Sequence, residues 1–180
     1  MATPVGHTLS AYTILLAFQP SLASKVRSKW IGLATAFVFG NLADADFAVA
    51  YFVQNPVWRH HFFSHSIPFV ILFALFCFLI FSFLRQRKPL QLALLLGAAY
   101  GTHVLLDFFT DDGSSPFGIP LLWPFTHHHF LASDPLFFAT QRGSLEALIS
   151  LHNLTAMAIE CLLLAPVAWL VFRVRRAAAA

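Results

Sequence analysis

The chain has 180 residues, of which 58% are hydrophobic and 11% charged, with a formal net charge of +3. Soluble domains carry about 25% charged residues, so eight acids and eleven bases exclude a solvated globular surface, and the apolar content excludes disorder. A single polytopic membrane domain remains.

Five apolar segments follow in chain order. Thr8 to Ser21 and Trp30 to Ala43 come first; at about fourteen residues each they fall short of the ~17 a crossing needs, so they extend into their flanks or form a re-entrant hairpin. Ser66 to Leu84 is nineteen residues without a charge. Pro89 to Leu106 is apolar apart from Gln91, Thr102 and His103, and Leu145 to Phe172 is interrupted by His152, Glu160 and Pro166. Cys77 and Cys161 lie inside apolar runs and read as small hydrophobes, not as a disulfide or a thiolate metal site. The expected fold is all-α: a polytopic membrane helix bundle of about five segments with a long outer loop. One domain covers residues 1–176, and residues 177–180 form an alanine tail.

The basic residues set the orientation. Lys25, Arg27 and Lys29 separate the first two segments, Arg85, Arg87 and Lys88 the third and fourth, and Arg173, Arg175 and Arg176 follow the last. With alternating segments these clusters share one face, which the positive-inside rule assigns to the cytoplasm. The N-terminus is then outside and the C-terminus inside. No basic stretch opens the chain, so no cleavable signal peptide is expected. The long connection from Phe108 to Gly143, rich in proline and glycine, exceeds a plain connector, and its aromatic residues predict a place at the membrane interface or over the helix ends.

All six aspartates, and every histidine except His152, fall at or beyond the helix ends opposite the basic clusters. His103 and Asp107 are four apart, on one helical face. Imidazole with carboxylate suits zinc or manganese; the same pair also serves as a hydrogen bond tying helices together. Asp44 and Asp46 close the second segment, where two carboxylates repel unless a cation is shared; the alternative is a solvated helix end. His60, His61 and His65 precede the third segment, and Ser64 or Ser66 is placed to cap it. His65 then sits near a positive helix N-terminus, which favours the neutral, metal-binding imidazole; the alternative is interfacial histidines. His127, His128 and His129 cannot all face one ion, and the run reads more simply as headgroup contact, with His128 an additional candidate. His7 opens the first segment on the same side. His152 and Glu160 share a face and read as a polar contact between helices. Ligands drawn from His and Asp without thiolate suit zinc first, then manganese or iron, and more than four of them suggest up to three ions.

These residues together resemble the YdjM family, LexA-regulated inner-membrane proteins regarded as metal-dependent hydrolases. The resemblance is carried by His7, Asp44-Ala45-Asp46, His60 to Ser66, Gly101-Thr102-His103 with Asp107, Gly113, and Pro120-Leu121-Leu122-Trp123-Pro124-Phe125, over about residues 5 to 130. It implies metal ligands at His7, Asp44, Asp46, His60, His65, His103 and Asp107. The chain departs from the family at His61, Phe62 and Ser64, where the family has arginine, glycine and threonine; Arg59 is a candidate substitute for that arginine. The family is distantly similar to zinc-dependent phospholipases C, an analogy that points to phosphoester hydrolysis.

The expected function is a membrane-embedded hydrolase in the bacterial inner membrane. Its expected cofactor is one to three divalent ions, its catalytic groups are Asp46, Asp107 and His65, and its partners are membrane lipids and a lipid or lipid-linked phosphoester substrate. The alternative is a non-enzymatic membrane protein, either a metal carrier or a structural bundle. Nucleic acid is not an expected partner, because the bases are accounted for by topology.

Overall fold

The computed structural model describes residues 1–19, 26–47, 52, 62–113, 116–141 and 144–178. Among these the chain is helical: α1 Pro4–Phe18, α2 Val26–Gly40, α3 Ile67–Phe83, α4 Pro89–Phe108, a single-turn α5 Leu145–Leu148, and α6 Leu151–Ala177. Two 3₁₀ turns, Leu42–Asp44 and Phe63–His65, follow α2 and precede α3.

Local chemistry fixes the helix starts. Thr3 Oγ1 accepts the Gly6 N–H at 3.2 Å and Pro4 opens α1, so the helix begins four residues earlier than the apolar run and lasts until Phe18. Ser66 is the cap of α3, its Oγ accepting the Phe69 N–H at 3.3 Å; of the two serines considered, this is the one spaced to reach a third-residue amide. Pro89 opens α4. The last apolar segment is divided: Ser144 caps α5, and Ser150 caps α6 by accepting the Asn153 N–H.

α1 lies at the centre, against α2, α4 and α6, while α3 packs on the far side of α4. Small residues set the spacing. Ala11, Leu15, Ala36 and Ala99 form the core where α1, α2 and α4 meet. A Cβ on Gly97 would lie 2.7 Å from Ala74 Cβ, and one on Gly101 would lie 3.3 Å from Val70. The Gly-x-x-x-Gly face of α4 thus receives one face of α3, the small-residue contact by which helices associate in lipid.

Two helical stretches, Pro89–Phe108 and Glu146–Ala177, are long and apolar enough to cross a membrane, and Ile67–Phe83 is a shorter apolar helix. α3 exposes Ile71, Leu72, Leu75, Phe76, Leu79 and Phe83, and its one buried residue is Cys77. A helix apolar all round that is not in a core faces lipid.

The helices alternate in direction. Lys29 Nζ sits 5.0 Å from the Phe172 ring centre, placing the start of α2 beside the end of α6; the turn from α3 to α4, with Arg85, Arg87 and Lys88, lies at that same end by chain direction. Among the described residues, Arg27 and Lys29 and the two later basic clusters therefore share one end of the bundle. At the other end the long connection folds over the helices. Ile67 N–H donates to Leu121 O, Ala132 N–H to Phe108 O, and Thr140 N–H to Met1 O. Gly118, at φ +88°, passes so close to the Phe130 carbonyl that a side chain would collide with it. His152 and Glu160 go separate ways: His152 Nε2 donates to Ala139 O at 2.7 Å in this connection, whereas Glu160, fully buried, accepts the Thr3 N–H at 2.8 Å and the Thr3 hydroxyl. The predicted contact between helices holds for Glu160, which pins the start of α1 to α6.

Candidate metal centre

At the end opposite the bases, four side chains from three places in the sequence converge. Asp44 comes from the turn after α2, His65 from the turn before α3, and His103 and Asp107 from successive turns of α4. His65, His103 and Asp107 are buried, and Asp44 is largely so.

The separations are informative. His65 Nε2 lies 3.2 Å from His103 Nε2. Asp44 Oδ1 is 3.6 Å from His65 Nε2 and 3.4 Å from His103 Nε2. Asp107 Oδ2 is 3.4 Å from His65 Nε2 and 3.2 Å from His103 Nε2. Zinc holds His nitrogen and carboxylate oxygen at roughly 2.0–2.1 Å, and a tetrahedron of that radius has edges of about 3.3–3.4 Å. The five separations scatter around that value.

The outward-facing nitrogens decide what the inward ones offer. His103 Nδ1 is 2.7 Å from the Gly40 carbonyl, an acceptor only, so Nδ1 carries the proton. His65 Nδ1 is 3.2 Å from Asp46 Oδ2 and 3.0 Å from Ser64 Oγ, and that hydroxyl itself donates to Asp46 at 2.8 Å. Nδ1 is again the donor. Both neutral imidazoles therefore turn Nε2 lone pairs toward each other and toward two carboxylates. Acceptors at these distances repel unless a cation or protons lie among them. The donor set fits a divalent ion, and the outer partners supply the orientation that histidine ligands need.

Electrostatics at the turns agrees. Burial by itself would raise the Asp44 pKa, but hydrogen bonding to His103 and His65 outweighs it and holds the carboxyl far below its ordinary range. For His65, burial favours the neutral ring, and the hydrogen bonds to Asp44 and Asp46 outweigh that, so its pKa is raised. A site that draws a proton this way also attracts a metal ion.

The other candidates fall around this set. Asp46 stands behind His65, where its carboxylate holds Nδ1 and accepts the Ser64 hydroxyl; it is not one of the four converging groups. His7 stacks on the His103 ring at 3.6 Å between centroids, with Nε2 3.5 Å from Asp107 Oδ1. It is fully buried, and among the described residues neither ring nitrogen has a hydrogen-bond partner. Asp107 thus faces two ways: Oδ2 toward the imidazole pair, and Oδ1 toward His7 and the Ala2 N–H at 2.9 Å. His128 is exposed and lies against Phe130, apart from the cluster. Arg59, His60 and His61 lie outside the described residues. Among the described residues the four converging atoms make a donor set for one ion.

Several supporting groups carry no recognisable signal in the sequence. The Gly40 carbonyl reaches His103 because a glycine at that position lets α2 approach α1 closely; a Cβ there would stand 2.7 Å from His7 O. Tyr100 donates its hydroxyl to Ser64 O at 2.7 Å, fixing the turn that bears His65. Ala2 and Thr3 reach Asp107 and Glu160 across more than a hundred residues of chain. Only Ser64, next to a predicted histidine, was open to reading from neighbours.

Comparison with curated proteins and with solved structures finds no match. The profile of the YdjM inner membrane protein family matches residues 1–180, the entire chain. Membrane-length apolar helices and the expected His and Asp positions gathered at one end agree with that match, and the chain belongs to the YdjM inner membrane protein family.

Proposed function

We propose that the protein is a membrane-embedded, metal-dependent hydrolase that cleaves phosphoester bonds of lipid or lipid-linked substrates at the outer face of the inner membrane. The observation that carries this reading is the convergence of two Nε2 lone pairs and two carboxylate oxygens at the spacing of a tetrahedral donor set. Asp44, His65, His103 and Asp107 would hold the ion, with zinc favoured by the donors and their spacing. A divalent ion bound there would supply a Lewis acid and, on expanding its coordination beyond the four protein donors, a bound water with a pKa of about 7. Around it, Asp46 and Gly40 keep the two imidazoles in one tautomer. Ala2 holds Asp107 by its outer oxygen. His7, buried, stacked on His103 and 3.5 Å from Asp107 Oδ1, would brace these two ligands from the side of α1.

A carrier would need polar groups along the bundle. Below the cluster, the core where α1, α2 and α4 meet is Ala11, Leu15, Ala36 and Ala99, which favours a site that works from one end.

Metal analysis of the purified full-length protein should find at least one transition-metal ion per chain. Hydrolysis of a panel of phospholipids and phosphodiesters should be lost with chelator and restored by zinc. His103→Ala and Asp107→Ala should each lose metal and activity together. A folded, metal-free preparation with activity, or either variant at full activity, contradicts the assignment.

A further inference from the structure

A cavity of about 380 Å³ opens between the first turn of α1 and the start of α6, and Asp44 is among the residues that line it. The volume is within the range of small-molecule sites. Asp44 is the only charged side chain among the described residues of its wall, and an oxygen of Asp44 belongs to the four-atom cluster.

The polar groups in the wall are already engaged with the protein. Thr3 donates its hydroxyl to Glu160, and Thr140 donates its own to Met1 O at 3.1 Å. Asn153 Nδ2 donates to Gln141 O and Ala147 O, and its Oδ1 accepts the Gln141 N–H. Away from Asp44 and the amino terminus of Met1, which lie at the cluster end, the wall thus offers a ligand only apolar contact, and a polar molecule would lose its hydration there without replacement. The rim is apolar too: Phe47, Leu148, Ile149 and Leu154 are about half exposed or more. They continue the lipid-facing surface up to the opening. From Asn153 to Met157 the wall follows α6 for about 6 Å, from the end that bears the cluster into the apolar part of the bundle.

We propose that this cavity holds one hydrocarbon chain of a membrane lipid while the lipid's polar end lies at the Asp44 side of the cluster. The assignment rests on the hydrolase reading for what happens to the head, and on the wall alone for what binds. The lipid enters sideways from the bilayer over Leu148, Ile149 and Leu154, so its chain does not have to leave an apolar medium.

Photolabelling tests this without turnover. Wild-type protein is placed in phosphatidylglycerol nanodiscs doped with phosphatidylglycerol carrying a diazirine on one acyl chain, irradiated, and its adducts mapped by peptide mass spectrometry. Adducts should concentrate on residues 148–157 and on Val5, above those on the exposed face of α3. Met157→Trp, which fills the cavity, should reduce the cavity adducts by at least about tenfold, with α3 labelling and metal content unchanged. If that variant does not fold, excess unlabelled lysophosphatidylglycerol added to wild type should suppress the same adducts selectively. Even labelling of all lipid-facing helices, or cavity labelling insensitive to both treatments, overturns the proposal. Chelator-sensitive hydrolysis of a short soluble phosphodiester combined with even labelling would overturn the cavity assignment alone. Selective cavity labelling without any hydrolysis would support the cavity and count against the hydrolase.

Discussion

Two carboxylates and two imidazoles meet where three of the four side chains are buried, and each would be costly alone. An isolated ionised group in a low-dielectric interior is strongly disfavoured, and removing one member of a buried charge pair costs about 3–5 kcal/mol. Asp46 and Gly40 show how the arrangement is kept: each accepts a hydrogen bond from the Nδ1–H of one histidine and so turns the opposite nitrogen inward. Asp46→Asn tests this directly. It keeps the shape but removes the charge behind His65, and losing such an outer partner typically weakens metal binding about 10–100-fold. The pH dependence gives a second readout. The His65 pKa is raised by Asp44 and Asp46, so protons compete with metal below that raised value and affinity climbs as pH increases through it. Without the Asp46 charge the ring releases its proton at lower pH, and the midpoint of the affinity–pH curve should move to lower pH. Titration with zinc, followed calorimetrically across pH, measures both effects; unchanged affinity and midpoint would remove Asp46 from the site's support.

Among the helices, the contact of α3 with α4 decides whether the site assembles at all. His65 precedes α3 by two residues, whereas His103 and Asp107 ride on α4, so the separation of these two helices is the separation of the ligands. Gly97 and Gly101 set it. Gly97→Leu would place a Cβ 2.7 Å from that of Ala74, on a backbone-borne neighbour that cannot swing away. Overpacking of this kind costs about 1–3 kcal/mol. The expected result is a lower melting temperature in detergent together with weaker zinc binding. Gly101→Ala, facing Val70 at 3.3 Å, should be milder in both. If Gly97→Leu melted as wild type and bound zinc equally well, this contact would not govern the centre. Glu160 plays the corresponding part for α1: by holding Thr3 it fixes the end of the helix that carries His7 against Asp107.

Across the molecule, basic clusters lie at one end and the His and Asp cluster at the other, and this polarity carries the topology. The positive-inside rule expects the bases in the cytoplasm, which would turn the candidate centre outward. In a variant lacking Cys77 and Cys161, a cysteine at position 128 should react with a membrane-impermeant maleimide added to intact cells, and one at position 86 should react only after lysis. The reverse pattern would place the centre on the cytoplasmic side.

Much of this was legible beforehand. Apolar runs located α3 and α4 almost to the residue, because a charge-free stretch long enough to cross lipid has few alternatives to helix. The bounds of α1 and α6 shifted where a cap overruled the apolar pattern: Thr3 and Ser150 begin helices inside or ahead of runs that hydropathy alone left open. Asp44, His65, His103 and Asp107 were readable as ligand types on one side of the membrane. Their division into four converging donors and an outer ring of Asp46, Ser64, Gly40 and His7 was not, because a chain of letters gives the helix end at which a residue falls but not which nitrogen of an imidazole faces inward.

Composition and charge order alone determined that this is a lipid-embedded helical protein with its polar chemistry gathered opposite its bases, since those properties follow from solvation of each segment taken separately. Which donors meet, which merely orient them, and the apolar cavity that begins at Asp44 were decided only by tertiary structure. They depend on close approaches between helices, set by glycines 40, 97 and 101 and by hydrogen bonds from residues 2 and 3 to Asp107 and Glu160, and no local pattern encodes a distance between segments so far apart in the chain.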